Sequence, residues 1–153
     1  MDVAAERLPH VDEHGLEVAA DPERTWKALA AVVERAMSGG AAPRYARMIG
    51  CDDVEPGGPR PLAVGSSFTG FHVASAVPGA ELGLAGRHNF SDYALIFRLE
   101  DLGEGRTRLR AETRAVFPGL KGGVYRALVI GTRLHVLVTR RMLGATKRRA
   151  ERA

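Results

Sequence analysis

The sequence predicts an α+β fold in which an antiparallel β-sheet is followed by one long C-terminal helix. Residues 80–117 alternate between apolar and polar side chains, and turn residues at 91–92 and 103–105 divide this run into three strands. Residues 120–149 instead carry apolar or small side chains every three or four positions, which is the helical period. A shorter helical pattern begins at Pro22. The chain is therefore expected to place one helix before most of the sheet and one after it.

Length and composition are typical of one globular domain. The chain has 153 residues, of which 45% are hydrophobic and 26% charged, so we expect a single domain over residues 1–153 with a flexible lead at 1–10. Cys51 is the only cysteine, which excludes an internal disulfide and favours a reducing compartment. No apolar run approaches the roughly 20 residues of a membrane span, and the first residues lack the apolar core of a signal peptide. We therefore expect a cytoplasmic protein.

The net charge of +4 raises the question of nucleic-acid binding. The basic residues concentrate near the C-terminus, at Arg140, Arg141, Lys147, Arg148, Arg149 and Arg152. Such a cluster is typical of a solvated helix end that complements the helix dipole, and no aromatic side chains for base stacking lie between its members. Nucleic-acid binding is therefore disfavoured, although protein or nucleic-acid binding through this segment stays an alternative interpretation. A homodimer is also left open.

The first half of the chain predicts a short strand, a helix and two further strands. The first strand spans 15–19, and the helix follows because Asp21 supplies an N-cap carboxylate and Pro22 suits the first helical position. The stripe expected under the sheet is Trp26, Leu29, Ala30, Val33 and Met37, with Trp26 largely buried. Gly39-Gly40 ends the helix. Residues 44–51 and 65–77 are the next two strands, separated by a loop over 52–61.

One face of the three later strands is apolar and the other is wet. The inward series is Leu82, Leu84, Gly86, His88, Phe90, Tyr93, Leu95, Phe97, Leu99, Leu109, Ala111, Thr113, Ala115 and Phe117. The opposite face of the last strand carries Arg108, Arg110, Glu112 and Arg114. Small or polar residues interrupt the inward series, so this face is not filled by large aliphatic side chains. The pattern predicts a cavity that holds a ligand.

The link between the first two of these strands predicts a tight hairpin. With Ser91-Asp92 as the two-residue turn, Phe90 lies opposite Tyr93 and Gly86 lies opposite Phe97. His88 then faces Leu95. An aromatic ring would cover a strand glycine, which is a known way to curve a sheet.

The closing helix is expected to present one face to the sheet. Its members are Leu120, Val124, Ala127, Leu128, Gly131, His135, Val138 and Met142. Gly131 costs about 1 kcal/mol relative to alanine inside a helix, so it either permits close packing on the sheet or marks a kink.

Three segments in this order resemble the START-like superfamily, also called SRPBCC, which includes polyketide cyclases and birch-pollen-allergen-type proteins. They are residues 17–26, in which a strand leads to a helix with Pro and Trp; residues 65–68, Gly-Ser-Ser-Phe; and residues 105–109, Gly-Arg-Thr-Arg-Leu. The resemblance covers roughly residues 14–150. It implies a helix-grip fold, in which a curved antiparallel sheet wraps around the long C-terminal helix and an N-terminal helix joins the first two strands. It also implies a seventh strand, expected within 44–64, and a hydrophobic ligand cavity.

The candidate ligand-binding residues combine the inward strand face with the inward helix face. They are Leu84, His88, Tyr93, Phe97, Thr113, Phe117, Leu128 and His135. His88 and His135 are each either a hydrogen-bonding group of the cavity or a core histidine paired to a neighbour. The face of His72 cannot be assigned from parity. Positions 72, 88 and 135 match no local metal-ligand spacing, so we expect neither a metal nor another cofactor.

Two functions share this cavity. The leading hypothesis is binding of a small hydrophobic or aromatic molecule of lipid, polyketide or isoprenoid type. The alternative is a polyketide cyclase/dehydratase-like enzyme that uses His88 or His135 as its acid-base group. The superfamily has no universal catalytic residues, so the resemblance implies a pocket and not a reaction. Whether the chain catalyses a reaction is left open.

Overall fold

The computed structural model describes residues 7–37, 47–48, 50–53, 56–129 and 133–152. These residues form six strands: β1 (His10–Val18), β2 (Ser67–Phe68), β3 (Phe71–Val77), β4 (Glu81–His88), β5 (Ser91–Gly103) and β6 (Arg106–Val116). The strands form one antiparallel sheet in the order β1-β6-β5-β4-β3-β2. The helices are α1 (Pro22–Ala36), α2 (Gly119–Val129) and α3 (Leu134–Arg152). None of the helices described is both long and apolar enough to cross a membrane.

The predicted α+β helix-grip architecture is confirmed. The helix α1 lies between β1 and β2 in the chain, and α3 packs on α1 and on the sheet through β1 and β6. The main core consists of residues from both layers: Val18, Ala20, Ala28, Leu29, Val33, Leu62, Phe68, Val73, Leu82, Leu84, Leu95, Phe97, Leu99, Leu109, Ala111, Met142, Leu143 and Ala150. The predicted alternation also holds, because Leu109 and Ala111 are fully buried while Arg110 is exposed and Arg108 is half-buried.

The β4–β5 hairpin turns two residues earlier than predicted. Its turn is Asn89-Phe90, so Gly86 pairs with Tyr93 and His88 pairs with Ser91. Asp92, expected in the turn, instead lies opposite Arg87, whose Nε donates to Asp92 Oδ1 at 2.8 Å. The partner of Gly86 moves by four positions, from Phe97 to Tyr93. Because this shift is even, every side chain keeps its predicted face although the register differs.

The strand β1 is longer than predicted, and part of the expected lead belongs to the sheet. β1 begins at His10 instead of residue 15, and it pairs with β6 along its length. Leu8 packs against a small cluster on the outer face formed by Ala94 and Ile96. The lead therefore contributes to the fold from at least Leu8 onward, while residues 1–6 lie outside the described part.

The strands predicted at 44–51 and 65–77 also differ. Residues 47–48 are helical, and none of the described residues between 44 and 64 belongs to a strand, so the seventh strand expected there is not found among them. The segment 65–77 forms two strands, β2 and β3, because Gly70 adopts a φ of 86° in the tight turn between them. A left-handed backbone at this turn favours glycine.

The helix α1 begins and ends close to the predicted positions. The Arg24 N–H donates to the Asp21 carboxylate at 2.8 Å, and Met37 is the C-cap. Leu29 and Val33 are fully buried, but Trp26 is only half-buried, which corrects the expectation that it is largely buried. The buried face is centred on the side of Thr25, Ala28 and Leu29, so Trp26 lies at its edge. Gly39-Gly40 lies outside the described residues.

The expected single closing helix is two helices. α2 ends at Val129 and α3 begins at Leu134, with Arg133 at a φ of 56° before it; Gly131 lies outside the described residues. Met142 is buried, whereas Leu120, Val124, Ala127 and Val138 are exposed, so the predicted inward stripe is wrong for these four. The break resets the helical phase, and one stripe therefore no longer faces the sheet along both helices.

The outer face of the sheet contains a buried ionic network around Glu112. His10 Nδ1 lies 2.6 Å from Glu112 Oε2, while Arg98 Nη1 and Arg114 Nε lie 2.9 and 3.1 Å from Oε1. Burial alone would raise the pKa of Glu112, but these three partners outweigh it and lower the pKa to about 2. The carboxylate therefore ties β1 to β5 and β6 on the face opposite the core.

We expect Glu112→Gln to reduce the free energy of unfolding at pH 7 and to flatten its dependence on pH. The pKa of Glu112 lies below its ordinary value of 4.5 in the folded chain. Its contribution is therefore fully present above the ordinary value and is lost as the pH falls towards 2. Urea titrations at pH 7, 5 and 3 measure this. Glu100→Gln, at an exposed residue of the outer face, is the control. If the unfolding free energy of Glu112→Gln depended on pH as steeply as that of the wild type, the stabilising role of the ionic network would be contradicted.

Candidate functional site

The inner face of the sheet divides into two halves of different chemistry. Near the β5–β6 turn it is solid core, where Leu99, Leu109 and Phe97 are buried with α1 and α3 against them. Near the β4–β5 hairpin it carries rings and polar groups, among them His88 and Tyr93. This second half, which faces α2 and the start of α3, is the candidate site.

Six rings meet in this half, and we call them the aromatic cluster: Phe71, His88, Phe90, Tyr93, Phe117 and Tyr125. The His88 ring is central, with centroids 4.7 Å from Tyr125 and 5.3 Å from Tyr93. Phe90 stacks on Tyr125 at 5.6 Å. The rings come from β3, the β4–β5 hairpin, β5, the segment after β6, and α2. Tertiary folding thus collects aromatic surface from distant segments at one end of the sheet.

Gly86 and Tyr93 shape the floor of the cluster. A Cβ at Gly86 would lie 2.5 Å from Tyr93 Cε2 and would overlap the Gly70 carbonyl oxygen. The Tyr93 hydroxyl donates a hydrogen bond to that same oxygen. Burial, the first of several causes, raises the pKa of Tyr93 far above its ordinary value, so the hydroxyl stays protonated as a donor. The predicted ring over a glycine is therefore present, with Tyr93 in place of Phe97.

His88 is a neutral imidazole with one free donor. The Phe90 N–H donates to His88 Nδ1 at 3.1 Å, so Nδ1 is the unprotonated nitrogen and Nε2 carries the hydrogen. Burial lowers the pKa of His88 below 6.5, and Asp92 opposes this shift only in part. None of the described residues accepts a hydrogen bond from Nε2. The ring therefore offers a donor within aromatic surroundings.

A second polar group lies at the other edge of the inner face, where Asp12, His14 and His135 form what we call the acid–histidine cluster. His135 Nε2 on α3 lies 2.6 Å from Asp12 Oδ2, and His14 Nε2 lies 3.4 Å from the same oxygen. In the sheet Asp12 pairs with Thr113 and His14 pairs with Ala111, which puts both on the inner face. Asp12 Oδ1 and His14 Nε2 are buried atoms without a hydrogen-bond partner in the described residues. The cluster therefore keeps unused hydrogen-bonding capacity.

The loop at residues 50–53 covers the sheet edge beside the aromatic cluster. The Asp52 N–H donates to the Arg87 carbonyl at 2.9 Å, where β4 extends beyond its pairing with β3. Burial raises the pKa of the Cys51 thiol, and a hydrogen bond to Tyr93 partly offsets this. His72 pairs with Ala85 on the outer face and lies 2.7 Å from Asp53. His72 is therefore placed on the side of the sheet away from the candidate site.

The predicted site residues are distributed over three places. His88, Tyr93 and Phe117 belong to the aromatic cluster, whereas Leu84 and Phe97 are fully buried in the solid core. Thr113 is half-buried beside Asp12, and His135 belongs to the acid–histidine cluster. Leu128 lies on α2, and its side chain is outside the described part. Their role in ligand binding stays a prediction.

The two candidate histidines do not meet. The strands that carry His88 and Asp12, the partner of His135, are three positions apart in the sheet order, which corresponds to about 14 Å. They therefore belong to separate parts of the inner face, and each must be assigned a role by itself.

Four residues of the site were missed from the sequence, for identifiable reasons. Extending the alternation backward from Leu16 would have placed His14 and Asp12 on the inner face, but the strand was expected to start at residue 15. Phe71 belonged to a strand whose parity was unassigned. Tyr125 was off the predicted apolar stripe of α2. Gly122, one turn before Tyr125, lets α2 lie close to the β4–β5 hairpin, because a Cβ at Gly122 would lie 3.1 Å from the Phe90 carbonyl oxygen. The glycine one turn before an aromatic residue was the signal in the sequence for this close approach of helix and hairpin.

Solved structures with the same fold include polyketide aromatase/cyclases. The Zhui aromatase/cyclase from Streptomyces sp. R1128 superposes with a TM-score of 0.62 at 18% identity, over 95% of each chain. The di-domain ARO/CYC StfQ of the steffimycin pathway gives 0.59 at 14% identity, over 97% of this chain and 53% of its own. Truncated norcoclaurine synthase from Thalictrum flavum gives 0.53 at 12% identity, over 92% of this chain and 94% of its own.

No protein-family model and no curated protein sequence matches the chain. The structural likeness nevertheless confirms the resemblance inferred from the sequence at the level of the fold: the chain has the helix-grip fold of START-like proteins. At identities below 20% the likeness carries over the fold, and the function must be argued from this chain's own residues.

We expect Gly86→Ala to destabilise the fold by about 1–3 kcal/mol, because the new methyl group forces Tyr93 and the Gly70 carbonyl apart. Urea titration monitored by circular dichroism measures the loss. Gly123→Ala is the matched control, because a Cβ there meets nothing within 4 Å and alanine favours the helix. Equal stability of Gly86→Ala and the wild type would show that the Tyr93 ring does not need this glycine.

Proposed function

We propose that this protein binds a small hydrophobic or aromatic molecule, of lipid, polyketide or isoprenoid type, at the aromatic cluster between the inner face of the sheet and α2. The observation that carries the proposal is the convergence of six rings of the described residues on one half of the inner face, near the β4–β5 hairpin. Ring faces and edges offer extensive apolar contact to a planar or chain-like ligand.

His88 supplies the polar contact that orients such a ligand. Its Nε2–H is a neutral donor, which matches a ligand carbonyl or hydroxyl oxygen. An apolar pocket with few polar groups is the usual form of a small-molecule site. That one structural neighbour is named an aromatase/cyclase is consistent with a ligand of polyketide type, and the ligand class itself is part of the proposal.

Mass spectrometry of small molecules released from the natively purified protein is the most direct test. An apolar compound in stoichiometric amount, absent from a control protein purified in parallel, would support the proposal. The same preparation also supplies the authentic ligand for the titrations below.

We expect Thr113→Trp to abolish binding of an uncharged apolar fluorescent probe such as N-phenyl-1-naphthylamine while the chain stays folded. Thr113 is half-buried on the inner face of β6, between β1 and β5, so an indole there would occupy space beside the aromatic cluster. Arg108→Trp on the outer face is the matched control and should bind the probe normally. Unchanged probe affinity in a folded Thr113→Trp chain would argue that this region is solid core.

A cyclase/dehydratase-like activity is the second candidate, and the acid–histidine cluster is the observation that favours it. The Asp12 carboxylate holds the His135 imidazole by its Nε2 at 2.6 Å. Such a pairing orients an imidazole and fixes its tautomer. In an intramolecular aldol-type closure, His135 Nδ1 would accept a proton from the carbon beside one carbonyl, the carbanion would bond to the carbon of a second carbonyl, and the imidazolium would return the proton to the alkoxide so formed. In the dehydration that follows, the same nitrogen would take a second proton from that carbon and give it to the hydroxyl, which leaves as water.

We expect substitutions in the two clusters to separate binding from catalysis. His88→Phe should weaken a ligand with a carbonyl or hydroxyl head by about 1–3 kcal/mol, the cost of an unpaired polar group. Asp12→Asn and His135→Asn should each leave that affinity unchanged and, in the enzyme, lower turnover by about 100-fold or more. Ligand titrations and product analysis on the co-purified compound class measure both. Turnover retained in both variants would exclude the acid–histidine cluster as the catalytic group.

A further inference from the structure

A groove of about 810 Å³ runs between α1 and α3, and we call it the arginine groove. It is formed by the two helices and includes none of the rings of the aromatic cluster. Its floor is apolar: Ala31, Val32, Ala36, Val138, Met142 and Ala145. Val138 is 47% exposed there, although the predicted apolar stripe of the closing helix included it. The floor is thus an apolar strip that the chain's own described residues leave uncovered in part.

The rim of this groove is strongly basic. Arg35 lies on α1, and Arg141, Arg148, Arg149 and Arg152 lie on α3. Among the described residues, no carboxylate lines the groove and none forms an ion pair with these five arginines. The nearest acids along the helices, Glu34 and Glu151, instead pair with Arg60 and Lys147. Five positive charges therefore surround an apolar floor without internal neutralisation.

The helix dipole does not explain this arrangement. Arg148, Arg149 and Arg152 complement the C-terminal end of α3, but Arg141 lies in the middle of the helix. Arg35 comes from the other helix. What the five arginines have in common is that they line the groove.

The length and shape of the arginine groove fit an α-helix. From Val138 to Arg152 the lining spans 15 residues of α3, so its ends lie 14 rises or about 21 Å apart along the helix. An apolar strip between two helices is the usual seat of a third, amphipathic helix, which places its apolar stripe on the floor. Acidic residues beside that stripe would meet the arginines in charge-assisted hydrogen bonds.

Other anionic occupants fit the groove less well. No aromatic residue of the described part of the chain lines it, so these residues offer no stacking surface for the bases of single-stranded nucleic acid. Its apolar residues form a floor below the arginines, whereas a protein that inserts into a lipid surface presents protruding apolar side chains.

We propose that the arginine groove is a docking site for an acidic amphipathic helix of a partner protein. The site is separate from the aromatic cluster, and the proposal does not depend on which ligand, if any, the cluster binds. A partner bound here would cover Val138 and the exposed part of the floor, while ligand entry at the other half of the sheet would stay free.

The test uses a fluorescein-labelled synthetic helix with leucine at every third or fourth position and glutamate on both sides of that stripe. Its controls are a scrambled peptide of equal composition and charge, and the same helix with lysine for glutamate. Anisotropy titrations are run on the wild type, on Arg141→Glu/Arg148→Glu, and on Lys121→Glu/Arg126→Glu. Each double variant changes the net charge from +4 to 0, because each substitution replaces one positive charge with one negative charge. Lys121 and Arg126 lie exposed on α2, outside the groove.

We expect the acidic helix to bind the wild type in preference to both control peptides. Arg141→Glu/Arg148→Glu should weaken it by about tenfold or more, because like charges then face each other, while the α2 variant changes little. Chemical shifts perturbed at Val138, Met142 and Ala145 should locate the peptide. Probe binding at the aromatic cluster should be unchanged in both variants, which also verifies that they are folded.

Three outcomes would overturn the proposal. One is equal binding of the scrambled peptide, which would indicate charge attraction without a helical seat. Another is an equal loss in the two double variants, which would place the effect in net charge. The third is tighter binding of anionic phosphatidylglycerol vesicles or of an oligo-dT strand with the same sensitivity to Arg141→Glu/Arg148→Glu, which would assign the groove to a lipid surface or to nucleic acid.

Discussion

The pairing of β5 with β6 supports every other part of this fold. It is the longest ladder in the sheet, with Asp92 opposite Val116 at one end and Gly103 opposite Arg106 at the other. Its strict alternation sends Phe97 and Ala111 to the core while Ile96 and Glu112 face the other way. β1 and β4 pair on its two sides. Because the side-chain period is two residues, a slip by one position would exchange the core for the ionic network.

Measured along their axes, these two strands are longer than the helices α1 and α3 that cover them. β5 and β6 have 13 and 11 residues, at about 3.3 Å per residue, whereas α1 and α3 have 15 and 19 residues, at about 1.5 Å per residue. The part of the inner face that α1 and α3 leave uncovered is the candidate site. Near the β5–β6 turn, α1 and α3 bury Leu99 and Leu109 in a solid core. Beyond Leu95 the inner face passes to Tyr93 and to the residues around His88, where α2 contributes Tyr125. The helices α2 and α3 are separate, with Arg133 at a φ of 56° before α3, so Tyr125 and the core residues of α3 belong to different helices. Solid packing and a site for a ligand therefore occupy successive parts of the same face.

The two proposed recognition surfaces differ in their chemistry. The aromatic cluster is an inner surface of rings with neutral hydrogen-bonding groups, suited to an uncharged apolar compound. The arginine groove is an outer surface of positive charges over aliphatic side chains, suited to an acidic protein segment. They share no residue in the described part of the chain, since no ring of the aromatic cluster belongs to α3 and the arginines of the groove on that helix lie from residue 141 onward. The two proposals are therefore compatible, because occupation of one surface leaves the residues of the other uncovered.

The sequence by itself determined the fold class, the order of most elements and the face of each strand residue in the β4–β6 meander. These properties follow from local periodicity, and they survived the wrong hairpin register because the error was an even number of residues. The N-cap at Asp21 and the start of α1 were likewise readable from neighbouring residues.

Only the tertiary structure decided which residues meet. The break between α2 and α3 changed the helix face that turns inward, so Tyr125 joined the rings while Leu120 and Val124 became exposed. The contact of Asp12 with His135 joins residues 123 positions apart. The apolar floor between α1 and α3 likewise depends on how two separate helices pack. Periodicity specifies which side of an element is apolar, but the direction of a second element across it depends on loops, breaks and close approaches that carry no period.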